Sequence, residues 1–202
     1  KEKRGPNLAQ IKDIAGEAFM PLSYGGGINN LEEVKNLFYN GVEKVILNTS
    51  ALDRLGLISE IAGQFGSQSA VVSIDVKKDW LGAYKVFRNN GGKKTSLSPI
   101  MFAKQMEAAG AGEIMLTSID RDGTYKGYDI ELINDVANAV GIPVIACGGA
   151  ANITDFRMAV MEGHASAVAA GSMFVYASEQ RGVMINYPKQ DRLINDFFSK
   201  LD

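Results

Sequence analysis

One cysteine, Cys147, and one histidine, His164, are all that the 202 residues hold of those two types. A lone cysteine excludes an internal disulfide framework, and a lone histidine leaves little for an imidazole-based metal site. An excess of one charge is also lacking. With 21 basic against 23 acidic residues the formal net charge is -2, so no global field is present to hold nucleic acid or an anionic membrane. No apolar run approaches the roughly 20 residues that cross a bilayer. No signal peptide is visible either, so neither nucleic acid nor membrane is an expected partner, and the expected compartment is cytoplasmic. What remains is 46% hydrophobic and 22% charged, which suits a globular chain with one substantial core. The short basic cluster Lys1, Lys3, Arg4 reads as a solvated loop.

Short apolar runs alternate with amphipathic stretches. The runs are Phe19 to Tyr24, Lys44 to Asn48, Ala70 to Asp75, Glu113 to Thr117, Pro143 to Cys147 and Ser166 to Ala170. Most are continuously apolar, as strands buried on both faces are. Between them, Asn30 is an N-cap candidate for a helix through Phe38 that ends at Asn40-Gly41. Ser98 before Pro99 starts another, carrying Ile100, Ala103 and Met106 to Gly110. This alternation predicts a parallel sheet covered by helices, in one domain spanning residues 1–202. One stretch breaks the rhythm: Val76 to Trp80, Tyr84 to Arg88 and the turn Asn89-Asn90-Gly91-Gly92 read as a hairpin inserted after the third run.

Pro21 to Ile28, with its Gly25-Gly26-Gly27, resembles Pro143 to Ala150, with its Gly148-Gly149, at an offset of 122 residues (143 minus 21). Gly41 falls on Gly163 at the same offset. The strand that follows ends in Asn48-Thr49-Ser50 in the first copy and in Gly171-Ser172-Met173 in the second. A parallel sheet repeating at this period predicts a (β/α)8 TIM barrel of two halves. Only six strands are visible where a closed barrel has eight, and the counterpart of the strand bearing Asp75 would precede residue 1. The expectation is a domain incomplete at its N-terminus, with a strand-helix-strand segment missing.

Glycine pairs after a strand let backbone N–H groups approach a ligand, and the helix N-terminus that follows adds partial positive charge. Gly26, Gly27, Asn48 and Thr49 form one candidate phosphate cradle; Gly148, Gly149, Gly171 and Ser172 form the other. Two such cradles at one barrel mouth imply a bisphosphorylated small-molecule substrate. Asp75 ends an apolar strand on the loop side, where a carboxylate suits general acid/base work. Lys77 is its partner or a phosphate ligand. Thr117 to Thr124 is the densest polar run and follows a strand, so Thr117, Asp122 and Gly123 join the candidate substrate contacts. Asp120 and Arg121 read as pairing with each other, and His164 and Cys147 as structural. Phe174, Tyr176, Phe197 and Phe198 read as helix packing. No motif for a nucleotide, a metal or a flavin stands out, so no cofactor and no metal are expected.

Pro21 to Ile28, Lys44 to Ser50, Val71 to Lys77, Gly91 to Thr95 and Ala109 to Thr124 together resemble the cyclase subunit of imidazole glycerol phosphate synthase, in order and over almost the whole chain. The resemblance implies an ammonia-dependent carbon–nitrogen lyase of histidine biosynthesis, paired with a glutaminase subunit as a heterodimer. Ammonia would pass through the barrel to a bisphosphorylated ribulosyl nucleotide, giving imidazole glycerol phosphate and an aminoimidazole carboxamide ribotide. By the same resemblance Asp75 is one of two catalytic aspartates, the other belonging to a strand before residue 1. It makes Asp122 and Gly123 part of the second cradle, and Lys44 and Glu113 part of the charged gate where ammonia enters.

The chain departs from that pattern at Gly171 to Tyr176 and in the tail Arg181 to Pro188. There it resembles a paralogous branch linked to surface-saccharide synthesis. That branch implies an alternative, a barrel that activates a glutaminase and channels ammonia to a sugar amidotransferase.

Overall fold

A computed structural model describes residues 5–89, 91–176 and 182–201. The basic cluster Lys1, Lys3, Arg4, the turn residue Asn90 and Arg181 of the tail lie outside them. In chain order the elements are α1 (Leu8–Glu17), β1 (Ser23–Gly25), α2 (Leu31–Tyr39), β2 (Lys44–Leu47), α3 (Thr49–Asp53), α4 (Gly56–Phe65) and β3 (Ala70–Lys78). There follow β4 (Tyr84–Arg88), β5 (Lys93–Lys94), α5 (Pro99–Ala108), β6 (Glu113–Ser118), α6 (Ile130–Ala137) and β7 (Val144–Cys147). The chain ends with α7 (Ile153–Met161), β8 (Ala167–Ala169), α8 (Ser172–Val175) and α9 (Gln190–Asp196). Two compact units result. One runs to Ser73 and takes in Lys104–Ile114; the other takes Ile74–Ala103 and the chain from Met115 onward.

In the first unit β1, β2 and the start of β3 pair in parallel, with Gly25 opposite Ile46 and Leu47 opposite Val72. Val45, Leu47, Ala70 and Val72 are buried, and against them pack Val34 and Leu37 of α2 and Leu57, Ile58 and Ile61 of α4. The 3.6-residue spacing of these helical positions sets which face turns inward. Phe38 meets Phe65 edge-to-face at 4.8 Å. Asn30 caps α2 as expected, its side chain accepting the Glu33 N–H, while the Glu33 carboxylate accepts the Asn29 N–H. The expected first strand is shorter than its apolar run. Phe19 and Met20 are exposed and the ladder begins at Ser23, because Pro21 has no N–H to donate. Helix α1 was not anticipated at all; Asn7 caps it, yet only Ile11 of its face is buried.

In the second unit the order is β3, β6, β7, β8, with β7 and β8 parallel. The anticipated hairpin is present. Beyond Ser73, β3 continues to Lys78 and pairs antiparallel with β4, placing Asp75 opposite Phe87 and Lys77 opposite Lys85. Strand β5 then returns along β4. Val76, Val86, Leu116, Leu132, Val136, Ala146 and Phe156 fill the core. Of the expected aromatic packing, Phe156 takes Phe174 and Phe197 edge-on at 6.3 and 6.1 Å. Strands β1 and β8 are not buried on both faces, since each is the outermost described strand of its unit.

The repeat holds at residue level. Helices α2 and α7 have equal length, with starts and ends each 122 apart (153 minus 31, 161 minus 39). Asn152 and Asp155 cap α7 as Asn30 and Glu33 cap α2. After the helices the copies slip by one residue. Gly41 turns the first chain at φ +91°, but in the second the left-handed residue is His164, at φ +57°, one past Gly163. The strand register follows the slip, with Ser23 opposite Lys44 but Ile145 opposite Ala167. His164 sits on this turn and its Nδ1 meets the side-chain oxygen of Asn138 at 3.1 Å, in keeping with a structural role.

Parallel strands alternating with helices, organised as two such copies, are the architecture of the (β/α)8 barrel class.

Candidate active site

In the second unit the Cys147–Ala169 rung brings the turn after β7 beside the turn after β8. Gly148, Gly149, Gly171 and Ser172 line one small hollow of about 20 Å³, together with Asp122 and Gly123. The glycines are required by both conformation and space. Gly148 and Gly149 have φ of +88° and +110°. A β-carbon on Gly148 would stand 2.7 Å from the Ser118 carbonyl oxygen, and one on Gly149 only 2.3 Å from that of Gly127. The Gly127 N–H in turn donates to the Gly149 carbonyl at 2.9 Å. The loop carrying Asp122 is held by the Ser118 carbonyl, which accepts the Arg121 and Asp122 N–H groups. Two phenols brace the far side: Tyr125 donates to the Ser172 carbonyl at 3.0 Å and Tyr128 to that of Ala169 at 2.9 Å.

Cys147 lines the same hollow, although its strand position had suggested a purely structural thiol. It interacts with Thr117, so that residue is brought to the hollow's edge. Burial pushes the thiol above its ordinary value, and the charges of Asp122 and Asp75 act in the same direction; hydrogen bonds with Thr117 and the Gly148 backbone oppose them. Asp75 is half-buried near the point where β3 leaves the parallel sheet for the hairpin. A second, larger hollow of about 470 Å³ lies against Lys78, Lys126 and Met158, and none of the expected site residues lines it.

Lys77 is placed beside Asp120. Its ammonium lies 3.8 Å from Asp120, whose other oxygen accepts the Lys78 N–H at 3.0 Å. The expected pairing of Asp120 with Arg121 is therefore corrected: the Arg121 guanidinium donates to the Lys126 carbonyl at 2.8 Å. Adjacent residues in this turn point in different directions, so a sequence neighbour is not a spatial one. The hairpin is tied down a second time by Tyr84, whose hydroxyl donates to Asp129 at 2.8 Å and to Glu131 at 3.3 Å. Burial and those two carboxylates push the phenol far above its ordinary value.

In the first unit the Gly25–Ile46 rung sets Gly26 and Gly27, at φ +118° and +70°, beside Asn48 and Thr49 at the end of β2. The Asn48 amide donates to the Ser73 carbonyl at 3.2 Å, and the Thr49 hydroxyl donates to Asn48 at 3.4 Å. At the opposite ends of these strands the Lys44 ammonium donates to Glu113, with both side chains half-buried.

Parallel strands alternating with helices, glycine turns with φ above zero and small polar turns one strand along define an α/β barrel. Comparison with known proteins narrows that class. The histidine biosynthesis protein family matches residues 1–180. A protein of Pseudomonas aeruginosa named "Putative imidazole glycerol phosphate synthase subunit hisF2" is 50% identical over 188 residues, covering 93% of this chain and 75% of that protein. The imidazole glycerol phosphate synthase subunit HisF of Alkaliphilus metalliredigens is 43% identical over 175 residues, 87% of this chain and 69% of that one. Its namesake in Chlorobaculum tepidum is 44% identical over 173 residues, 86% and 68%. The chain belongs to the histidine biosynthesis protein family, as the five sequence segments implied. Among the described residues no helix is long and apolar enough to cross a membrane.

Proposed function

We propose that this chain is the cyclase subunit of an imidazole glycerol phosphate synthase. It takes ammonia released by a glutaminase subunit and reacts it with a bisphosphorylated ribulosyl nucleotide, giving imidazole glycerol phosphate and an aminoimidazole carboxamide ribotide. The observation that carries this reading is the doubled strand, glycine turn and capped helix, each copy offering backbone N–H groups to a phosphate. Gly26, Gly27, Asn48 and Thr49 hold one phosphate group; Asp122, Gly123, Gly148, Gly149, Gly171 and Ser172 hold the other. Asp75 moves protons at the reacting centre as a general acid/base, with Lys77 and Thr117 contacting substrate. Lys44 and Glu113 guard the ammonia entrance. The test is turnover of the ribulosyl nucleotide by the intact protein with ammonium salts, then with glutamine and the glutaminase subunit. No cyclisation at high ammonium by wild type would overturn the reading.

One observation favours a second reading, a barrel that activates a glutaminase and channels ammonia to a sugar amidotransferase. Where the sequence departs from the cyclase pattern, the segment after α8 exposes Val183, Ile185 and Tyr187, an unusual set of apolar groups to leave in water. Stimulated glutaminase activity without any cyclisation separates this reading from the first.

A further inference from the structure

Resting on the cyclase reading, we infer that Asp120 is a positioning residue that aims the Lys77 ammonium at the substrate. Successive residues of a strand point to opposite faces, so Lys77 shares its face with Asp75 while Val76, fully buried, turns into the core. Across the β3–β4 ladder Lys77 is opposite Lys85, and two like charges so placed repel. Lys77 therefore needs an anion on its other side, and Asp120 supplies it at 3.8 Å.

The same carboxylate fixes the backbone beneath Lys77. The Ile119 N–H donates to the Val76 carbonyl at 2.9 Å, a backbone bond from the β6 end to this stretch of β3. Two residues further along β3, the Lys78 N–H is accepted by the Asp120 side chain at 3.0 Å. Asp120 thus holds the backbone where β3 leaves for the hairpin, and steers the neighbouring ammonium from the same group. Lys78 is engaged elsewhere, its ammonium lying 3.6 Å from Glu131 and over the Tyr84 ring at 4.5 Å. Lys77 is thereby distinguished from its neighbour as the ammonium that remains on the Asp75 face. Both Lys77 and Asp120 keep over two fifths of their side-chain surface in water, so the pair contributes little to stability and can exchange Asp120 for an arriving phosphate.

The experiment has two arms on the intact protein. In the first, Asp120→Asn, Lys77→Met and the double variant are compared for turnover of the ribulosyl nucleotide with ammonium. The asparagine keeps an acceptor for the Lys78 N–H and loses the charge. Each single variant is expected to lower kcat/KM about tenfold, chiefly by raising KM, and the double variant to be no worse than Lys77→Met. Additive losses would overturn the proposal, because a merely structural Asp120 acts independently of Lys77. The second arm needs no turnover. Competitive acetylation read by mass spectrometry compares Lys77 with Lys93 in the same molecule. Freed from its carboxylate, Lys77 should label roughly two- to fivefold faster in Asp120→Asn, the size of an exposed ion pair. Unchanged labelling sinks the inference even if cyclisation is found; faster labelling in a protein that never cyclises leaves the pairing intact and removes only the reaction assigned to it.

Discussion

Glu113, the first residue of β6, accepts the ammonium of Lys44, the first residue of β2. Both begin their strands, at the ends away from the glycine turns, and both are only partly solvated, so neither charge is a free surface group. Removing one leaves the other half-buried without its partner, which costs about 1 kcal/mol on an exposed-to-intermediate scale. If the pair guards the ammonia entrance, Glu113→Gln should lower glutamine-driven turnover several-fold while leaving ammonium-driven turnover nearly intact. The ratio of the two rates measured on one preparation is the readout. An unchanged ratio would remove the pair from the ammonia route and leave it a structural tie.

Asp75→Asn tests the assigned proton transfer. The amide keeps the shape of the carboxylate, so the β3–β4 ladder at the Asp75–Phe87 rung should survive and thermal unfolding should move little. A general acid/base contributes on the order of 10²–10⁴ in rate, and a loss of that size in kcat with a small change in KM is expected. Steady-state kinetics with ammonium as nitrogen source checks it. A variant retaining more than about a tenth of kcat would mean that Asp75 is not the acid or base.

The two glycine turns should respond differently to alanine. At Gly149 a β-carbon would collide with the Gly127 carbonyl oxygen at 2.3 Å and with Arg121 Cβ at 2.9 Å, on a backbone already at φ +110°. At Gly26, φ is +118° but nothing lies within 4 Å of the added carbon. Gly26→Ala then carries only the conformational cost, about 1–2 kcal/mol, whereas Gly149→Ala adds a clash against backbone and should cost roughly twice that or more. Urea unfolding of both variants decides it; equal losses would show that the second turn yields under strain.

What the sequence made legible follows from how each signal is encoded. Asn30 before an acidic first turn, the paired glycines after a strand and the apolar runs of the inner strands are local signals, and they fell where expected. The one-residue slip after α7 was not readable, because Gly163 matches Gly41 in type while the left-handed turn is taken by His164. Nor was the partner of Asp120, since Lys77 is distant in sequence and the adjacent Arg121 offered a plausible charge. Cys147 looked like one more buried strand residue; only the register of β7 against β8 reveals that it ends at the hollow. Phe19 and Met20 read as strand because apolar character says nothing of whether a neighbour covers it.

Cys147 offers a direct probe of that hollow. Burial, aided by the charges of Asp122 and Asp75, holds the thiol above its ordinary value of 9.0, so at pH 8 little thiolate is present and alkylation by iodoacetamide should be far slower than for a free cysteine. The rate should keep climbing with pH beyond the range where an ordinary thiol has levelled off. For stability the sign follows from the folded state favouring the neutral thiol. The contribution is fully present below the unfolded-state value near 9.0 and is lost as pH rises through the higher folded-state value. Cys147→Ala should therefore flatten the alkaline fall in stability without altering the neutral plateau's pH dependence. Because the thiol lines the same hollow as Gly148, Gly149 and Ser172, inorganic phosphate seated there should slow alkylation further, in proportion to its occupancy. Alkylation indifferent to phosphate up to tens of millimolar would separate the thiol from the anion site.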